Sequence, residues 1–216
     1  MGPDVDKLFL ELNGCPVVAH TWSRFDRTPE VSEIILVVRD GRQSVFEAMA
    51  RQYGFRKPFR LATGGAERQD SVWNGLASAS PSTEIVAIQD AARPCSHPEL
   101  IAATISAARE MGAAVAAQPV TDTIKESADG QLIERTVDRS RLWAVQTPQT
   151  FRIEVIRRAL AEVRRQGLNL TDDTAACELI HQPVKLVVTS HPNPKVTRQQ
   201  DLPYIEMLLR SDGEHS

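Results

Sequence analysis

The chain has 216 residues, 42% of them apolar and 25% charged, enough to bury a core without disulfide or metal staples. A formal net charge of −3 excludes a global basic field for nucleic acid, and no apolar run approaches the ~20 residues that a membrane span needs. The cysteines Cys15, Cys95 and Cys177 are scattered without C-x-x-C spacing, so they read as reduced thiols and not as a disulfide framework or zinc site. With no apolar signal region over residues 1–11, the chain is expected to be cytoplasmic.

In chain order, residues 16–25 put Val17, Val18, Thr21, Trp22 and Phe25 at helical spacing. Residues 33–39 read as a buried strand, followed by a helix over 43–53. The run from Thr63 to Val72 reads as a turn entering a helix. Gly64 and Gly65 would allow positive φ and close ligand approach, with backbone N–H groups and Ser71 facing a base or sugar. The same run is also compatible with a plain glycine turn before a capped helix. Residues 84–90 form a second strand, Ser96 with Glu99 a capping box opening a helix to Met111, and residues 113–118 a third strand. A hairpin turning at Asp129-Gly130 occupies an arm over about residues 121–141. Two strands are marginal alone in water, so the arm is expected to pack on a second copy of the chain or on its own domain. A helix over 151–165, a strand over 184–189, and a Thr197/Gln200 capping box before a last helix over 199–209 complete the pattern, with a frayed tail over 211–216. This alternation predicts one α/β domain over residues 1–216, a doubly wound, mostly parallel sheet with a protruding hairpin arm.

Ligands in open parallel sheets bind beyond the carboxyl ends of strands. Asp90-Ala91-Ala92-Arg93-Pro94 occupies such an end. Its small residues admit a ligand to the backbone, Arg93 can contact an anion, and Asp90 can hold a hydroxyl or a metal, or simply pair with Arg93. Thr147-Pro148-Gln149 follows an apolar stretch, Thr171-Asp172-Asp173 reads as a helix N-cap, and Lys195 lies in the rigid loop Pro192-Asn193-Pro194. The chain has no G-x-x-x-x-G-K-[ST], no G-x-G-x-x-G and no H-E-x-x-H, and its histidines have no ligand spacing. These absences argue against a P-loop NTPase and a dinucleotide oxidoreductase.

Eight segments in order resemble one family, the 2-C-methyl-D-erythritol 4-phosphate cytidylyltransferases. They are Lys7-Leu-Phe-Leu10, Gly64-Gly65-x-x-Arg68-x-x-Ser71-Val72, Asp90-Ala-Ala-Arg-Pro94, Asp122-Thr123-Ile124-Lys125, Thr136-Val-Asp-Arg139, Leu142-Trp143-x-x-Gln146-Thr-Pro-Gln149, Thr171-Asp172-Asp173 and Lys195-Val-Thr197. The resemblance implies a Rossmann-like nucleotidyltransferase fold and the joining of CTP to the methylerythritol phosphate with release of pyrophosphate. It assigns Lys7 to the triphosphate, Gly64, Gly65, Ala66 and Ser71 to the nucleotide base and its neighbours, and Asp90 and Ala91 to the ribose and substrate side. Arg93 organises the strand end, and Thr147 and Lys195 line the polyol-phosphate site. Lys7, Lys195 and Arg139 are the implied catalytic residues. Mg²⁺ would be held mainly by the CTP phosphates, with no protein metal ligands. The family forms a homodimer, in which Thr123 and Arg139 on the arm complete the partner's substrate site.

The chain departs from the family at its start. The family's apolar strand and glycine-rich loop, ending in Arg-Met-Gly, would precede Met1-Gly2, and Leu8 stands where glutamine is usual. As written, the chain is expected to be a shortened version that binds CTP poorly and folds less stably, with unpaired strand edges. The alternatives are a ribitol-5-phosphate cytidylyltransferase and a catalytically impaired dimeric binding module.

Overall fold

In the computed structural model, which describes residues 6–213, short apolar runs become strands and amphipathic stretches become helices. A 3₁₀ turn (Lys7–Phe9) leads to the short strands β1 (Glu11–Leu12) and β2 (Cys15–Pro16), then α1 (Val17–Arg27) and β3 (Ile34–Val38). Next come α2 (Gln43–Tyr53), β4 (Phe59–Thr63), α3 (Arg68–Ala77), β5 (Ile85–Ile88), α4 (Pro98–Met111) and β6 (Ala113–Pro119). The arm carries β7 (Lys125–Glu126) and β8 (Arg135–Thr136). The chain then runs through β9 (Trp143–Arg152), α5 (Ile153–Gln166), α6 (Asp173–Leu179), β10 (Lys185–Val187) and α7 (Leu202–Gly213). The departure at Met1-Gly2 lies outside the described residues, as do residues 214–216 of the tail expected to fray; residues 211–213 are helical.

Strands β3 and β4 pair in parallel, and a second sheet has the order β10-β6-β9-β5. The α/β layering is the one the sequence predicts, but the second sheet is mixed. β10 is parallel to β6, while β9 runs antiparallel to both β6 and β5. The reason lies in the connection. β6 reaches β9 through the arm and not through a crossover helix, and a parallel neighbour would require such a crossover. β9 is also hard to read from sequence, because it mixes polar residues with Pro148. Between the pairs Val115–Gln149 and Ala117–Val145, β6 advances two residues and β9 advances four. That irregularity is where a sheet tolerates proline. It contains the cis Thr147-Pro148 bond.

Two caps differ from the sequence reading. His97, not Ser96, caps α4, its ring accepting the Glu99 amide, because Ser96 is turned inward to other partners. Near α7 the box is closed by Asp201, whose carboxylate accepts from both the backbone amide and the hydroxyl of Thr197, and not by Gln200. Phe151 lies within β9 and does not begin a helix, since its register with β5 and β6 keeps it in the sheet, and its wholly buried side chain packs against α5.

The all-buried alanine-rich run from Ala113 to Ala117 in β6 lets helices approach the sheet closely. Ile153, Ile156, Ala159, Leu160 and Val163 of α5 repeat at helical spacing and cover Ala113 and Phe151. Phe25 of α1 and Ile101 and Ile105 of α4 form a cluster against Ile34 of β3 and Ile85 and Ala87 of β5, which ties the two sheets to common helices. Among the described residues, no helix is long and apolar enough to cross a membrane. Truncating the fully buried Phe151 to alanine should remove about 3–5 kcal/mol from stability in urea unfolding, through lost burial and the cavity left behind.

Candidate functional site

Asp90 lies just past the end of β5, where its backbone amide is held by the hydroxyl of Thr147 at 3.1 Å. Its Oδ2 accepts from Lys195 Nζ at 2.9 Å and from Arg93 Nε at 3.4 Å. The Arg93 guanidinium also donates to the Asn193 carbonyl at 2.7 Å. The Asn193 side chain is 3% exposed. Its amide nitrogen donates to the Thr147 carbonyl at 2.8 Å and to Gln146 Oε1 at 3.2 Å, and its oxygen accepts from Ser96 at 3.0 Å. The Val196 amide donates to the Ala92 carbonyl at 2.8 Å. Residues 90–96, 146–147 and 193–196 therefore form one hydrogen-bonded body. Buried polar groups persist when each finds a partner, and here both ends of the Asn193 amide do.

Burial alone would raise the Asp90 carboxyl. The Lys195 ammonium, aided by Arg93 and Arg68, outweighs burial and holds it below the ordinary carboxylate value. Asp90 is thus an anion flanked by cations, an arrangement that fixes Lys195 at the strand end beside a half-buried Arg93. The ion pair with Arg93 that the sequence allowed is present, and Lys195 is added to it.

The glycine turn meets its neighbours in a different way from the expected one. Neither Gly64 nor Gly65 has a positive φ. Glycine is required at 65 because a Cβ there would lie 2.2 Å from the Asp70 Cβ. The Gly65 amide donates to Ser71 Oγ at 3.0 Å, and the Gly64 amide to the Val38 carbonyl at 2.9 Å, so the turn is pinned to α3 and to the end of β3. Ala66 follows as an exposed residue.

Arg68, one turn into the same motif, pairs with Asp173 at 2.5 Å. Asp173 is 1% exposed, and burial pushes its carboxyl above the ordinary value despite Arg68. Gln149 joins this group to β9: its oxygen accepts the Asp173 amide at 2.9 Å, and its nitrogen donates to Asp172 at 3.1 Å. Asp172 is the N-cap of α6, as read from the sequence, accepting the Ala175 amide at 2.9 Å. The Thr-Pro-Gln, Thr-Asp-Asp and Gly-Gly-x-x-Arg segments thus meet beside Asp90, whose charge Arg68 senses.

Lys7 opens the first 3₁₀ turn, and the adjacent Leu8 packs with the clusters containing Ala91 and Ala92. Thr123 and Arg139 stand apart. Both are exposed at the base of the arm, Arg139 donates to the Thr121 carbonyl, and among the described residues neither bonds to the Asp90 group. Asn193, Gln146 and Ser96 are the site residues that sequence reasoning missed. An asparagine enclosed by two prolines was the available signal, because a rigid loop carrying an amide that both donates and accepts is suited to cross-bracing.

Residues 1–211 match the family model described as 2-C-methyl-D-erythritol 4-phosphate cytidylyltransferase. A relative of that name from Pelotomaculum thermopropionicum is 39% identical over 212 residues, 98% of this chain and 89% of the relative. One from Geobacillus kaustophilus is 41% identical over 211 residues, covering 98% and 92%. Among solved structures, 4-diphosphocytidyl-2C-methyl-D-erythritol synthase from Anaerococcus prevotii superposes with a TM-score of 0.85 at 28% identity, covering 94% of this chain and 93% of the other. The 2-C-methyl-D-erythritol 4-phosphate cytidylyltransferase from Thermus thermophilus gives 0.78 at 32% identity, covering 94% and 93%.

Arg68→Ala leaves the Asp173 charge buried and unpaired, and should cost about 2–3 kcal/mol in urea unfolding. That is less than for a wholly enclosed pair, because the guanidinium is partly exposed. Adding Asp173→Asn should recover part of this loss. For Asp90 the folded value lies below the unfolded 3.8, so its contribution to stability is complete above that value and is lost as pH falls through the folded one. Unfolding midpoints of the native chain and Asp90→Asn should accordingly converge on acidification.

Proposed function

The chain belongs to the 2-C-methyl-D-erythritol 4-phosphate cytidylyltransferase family, and from that premise we propose that it joins CTP to 2-C-methyl-D-erythritol 4-phosphate. The products are 4-diphosphocytidyl-2-C-methyl-D-erythritol and pyrophosphate. A phosphate oxygen of the polyol substrate forms a bond to the α-phosphorus of CTP, and the bond from that phosphorus to the bridging oxygen breaks. Such chemistry asks the protein to align two anions and to neutralise charge that spreads over phosphoryl oxygens.

The observation that carries this reading is the cation pair Lys195 and Arg93 gathered on Asp90 at the end of β5. Asp90 holds Lys195 in the strand-end crevice, where its ammonium can take a substrate phosphate oxygen. Thr147 keeps the Asp90 backbone in place through its amide. Lys7, from the 3₁₀ turn beside Ala91, serves the triphosphate and the charge of the pentacoordinate phosphorus. Gly64, Gly65, Ala66 and Ser71 lie along the base and its neighbours, with Asp90 and Ala91 on the ribose. The close approach of the Gly65 backbone to α3 gives that wall a fixed shape.

The donor set at the strand end is mostly cationic, with Lys195, Arg93 and Arg68 around one Asp90 carboxylate. It therefore suits Mg²⁺ as an ion carried by phosphates and not as an ion in a protein cage. Carried in that way, Mg²⁺ would supply charge neutralisation on the triphosphate, while Lys195, Arg93 and Lys7 hold the anions in place.

The arm is read as a dimerisation element. Leu132 and Ile133 are 74% and 65% exposed at its tip, and Arg139 and Thr123 are exposed at its base. A second copy would cover the apolar pair and receive Thr123 and Arg139 in its substrate site.

The test is pyrophosphate release from CTP with the methylerythritol phosphate and, separately, with ribitol 5-phosphate. Release should require the former. Lys195→Ala should lower kcat/KM by about 10²–10³-fold, the usual loss when one charge-stabilising donor is removed. Arg139→Ala mixed with Lys195→Ala should regain activity through hybrid dimers. Turnover of ribitol 5-phosphate alone, or full activity of Lys195→Ala, would sink the reading.

A further inference from the structure

The segment that carries Lys195 has no secondary structure of its own. It runs from the end of β10 at Val187 to the 3₁₀ turn at Gln199, and two of its residues, Pro192 and Pro194, lack a backbone N–H. Neither a strand ladder nor a helix holds such a stretch, so its place at the strand end must come from other bonds. The Lys195–Asp90 ion pair is a poor anchor. The lysine side chain is 38% exposed, and a pair of that kind is weak and leaves a flexible four-carbon stem free to move.

Asn193 is the better anchor. It is 3% exposed and lies between the two prolines. Its side-chain nitrogen donates to the Thr147 carbonyl at 2.8 Å and to Gln146 Oε1 at 3.2 Å, and its side-chain oxygen accepts the Ser96 hydroxyl at 3.0 Å. Thr147 and Ser96 are themselves buried, at 3% and 0% exposure. An unmade hydrogen bond is costly in so dry a place, so these groups favour one arrangement. Only Pro194, with its fixed φ, separates the brace from Lys195.

We propose that Asn193 is a positioning residue whose buried amide sets where Lys195 meets the substrate phosphate, a role that rests on the cytidylyl-transfer reading of the site. Asn193 acts through that lysine and is itself enclosed. Its donors face Thr147 and Gln146 of β9, and its acceptor faces Ser96 ahead of α4, so the position needs an amide with two chemically different ends. A serine is too short to reach both sides. Misplacing a group that aligns a substrate by about 1 Å can cost about 10²-fold in rate.

Two measurements on the full chain test this. The first is a double-mutant cycle read by pyrophosphate release. Asn193→Ser should lower kcat/KM for the methylerythritol phosphate by about 10–10²-fold. In a Lys195→Ala background the same substitution should cost less than about threefold, because the group it positions is gone. Val163→Ala, a cavity in the α5 cluster outside the brace, should lower the melting temperature and leave kcat/KM unchanged. The second measurement needs no turnover. Burial raises the Asp90 carboxyl, and Lys195, ahead of Arg93 and Arg68, draws it below the ordinary value, so the carboxyl reports whether the lysine is in place. Its titration, followed by carbon NMR of a chain labelled at aspartate, should move upward in Asn193→Ser and stay in place in Val163→Ala. Arg93 keeps its acceptor in the variant, because that acceptor is the backbone carbonyl of residue 193. Should Asn193→Ser fail to melt cooperatively, Ser96→Ala, which removes one partner of the same amide, is read in the same way. The proposal is overturned if Asp90 titrates in the folded variant as in the native chain, or if the losses from Asn193→Ser and Lys195→Ala simply multiply. A native chain without turnover defeats the cytidylyl-transfer reading alone, and the Asp90 titration then still decides whether Asn193 positions Lys195.

Discussion

The buried amide of Asn193 is the interaction on which the strand-end site depends. It lies in a loop about a hundred residues along the chain from the Asp90 segment, and it is enclosed among groups that must all be satisfied. Its nitrogen serves Thr147 and Gln146, its oxygen serves Ser96, and its backbone carbonyl serves Arg93. An aspartate there would lose both donors, and a leucine would take from the Thr147 carbonyl and Gln146 the donor that Asn193 supplies, which is costly in a dry place. The position of Lys195, two residues further on, follows from this brace. So does the orientation of Thr147, which in turn holds the Asp90 amide.

Electrostatics then divide the carboxylates near the strand end. Asp90 is drawn down by three cations, while Asp173 is pushed up because burial outweighs its single guanidinium partner. The difference is environmental, since both are strand- or helix-end aspartates. Asp90 remains an anion and keeps Lys195 and Arg93 at the crevice. Asp173 is hidden and braces Arg68, Gln149 and the start of α6. The Gly-Gly turn, the irregular β9 and the N-terminus of α6 are therefore parts of one support beneath the strand end that carries Asp90.

The sheet topology serves the same site. β9 runs antiparallel because it returns through the arm, and this register brings Thr147 and Gln149 to the end of β5, with its proline at the register shift with β6. A parallel strand in that position would have needed a covering helix where the arm now leaves the domain. The stacked His97 and His191 rings add a contact between the start of α4 and the segment that carries Asn193.

Much of this was legible in the order of residues. The apolar runs that became β3, β5, β6 and β10, the helix over 43–53, the Asp172 cap and the eight family segments depend on local period or on local residue chemistry, and these are written along the chain. The family itself followed from those segments. Local sequence could not determine the direction of β9, because strand polarity depends on how a connection returns. Nor could it reveal that Ser96 turns inward, that Gly65 is required by contact with Asp70 and not by a positive φ, or that Asn193 braces three segments. His97 and His191 have no ligand spacing in sequence, and only the tertiary fold brings them together. These features all depend on contacts between residues distant in the chain. Their energies come from burial and hydrogen-bond geometry, which exist only once the sheets and helices have packed.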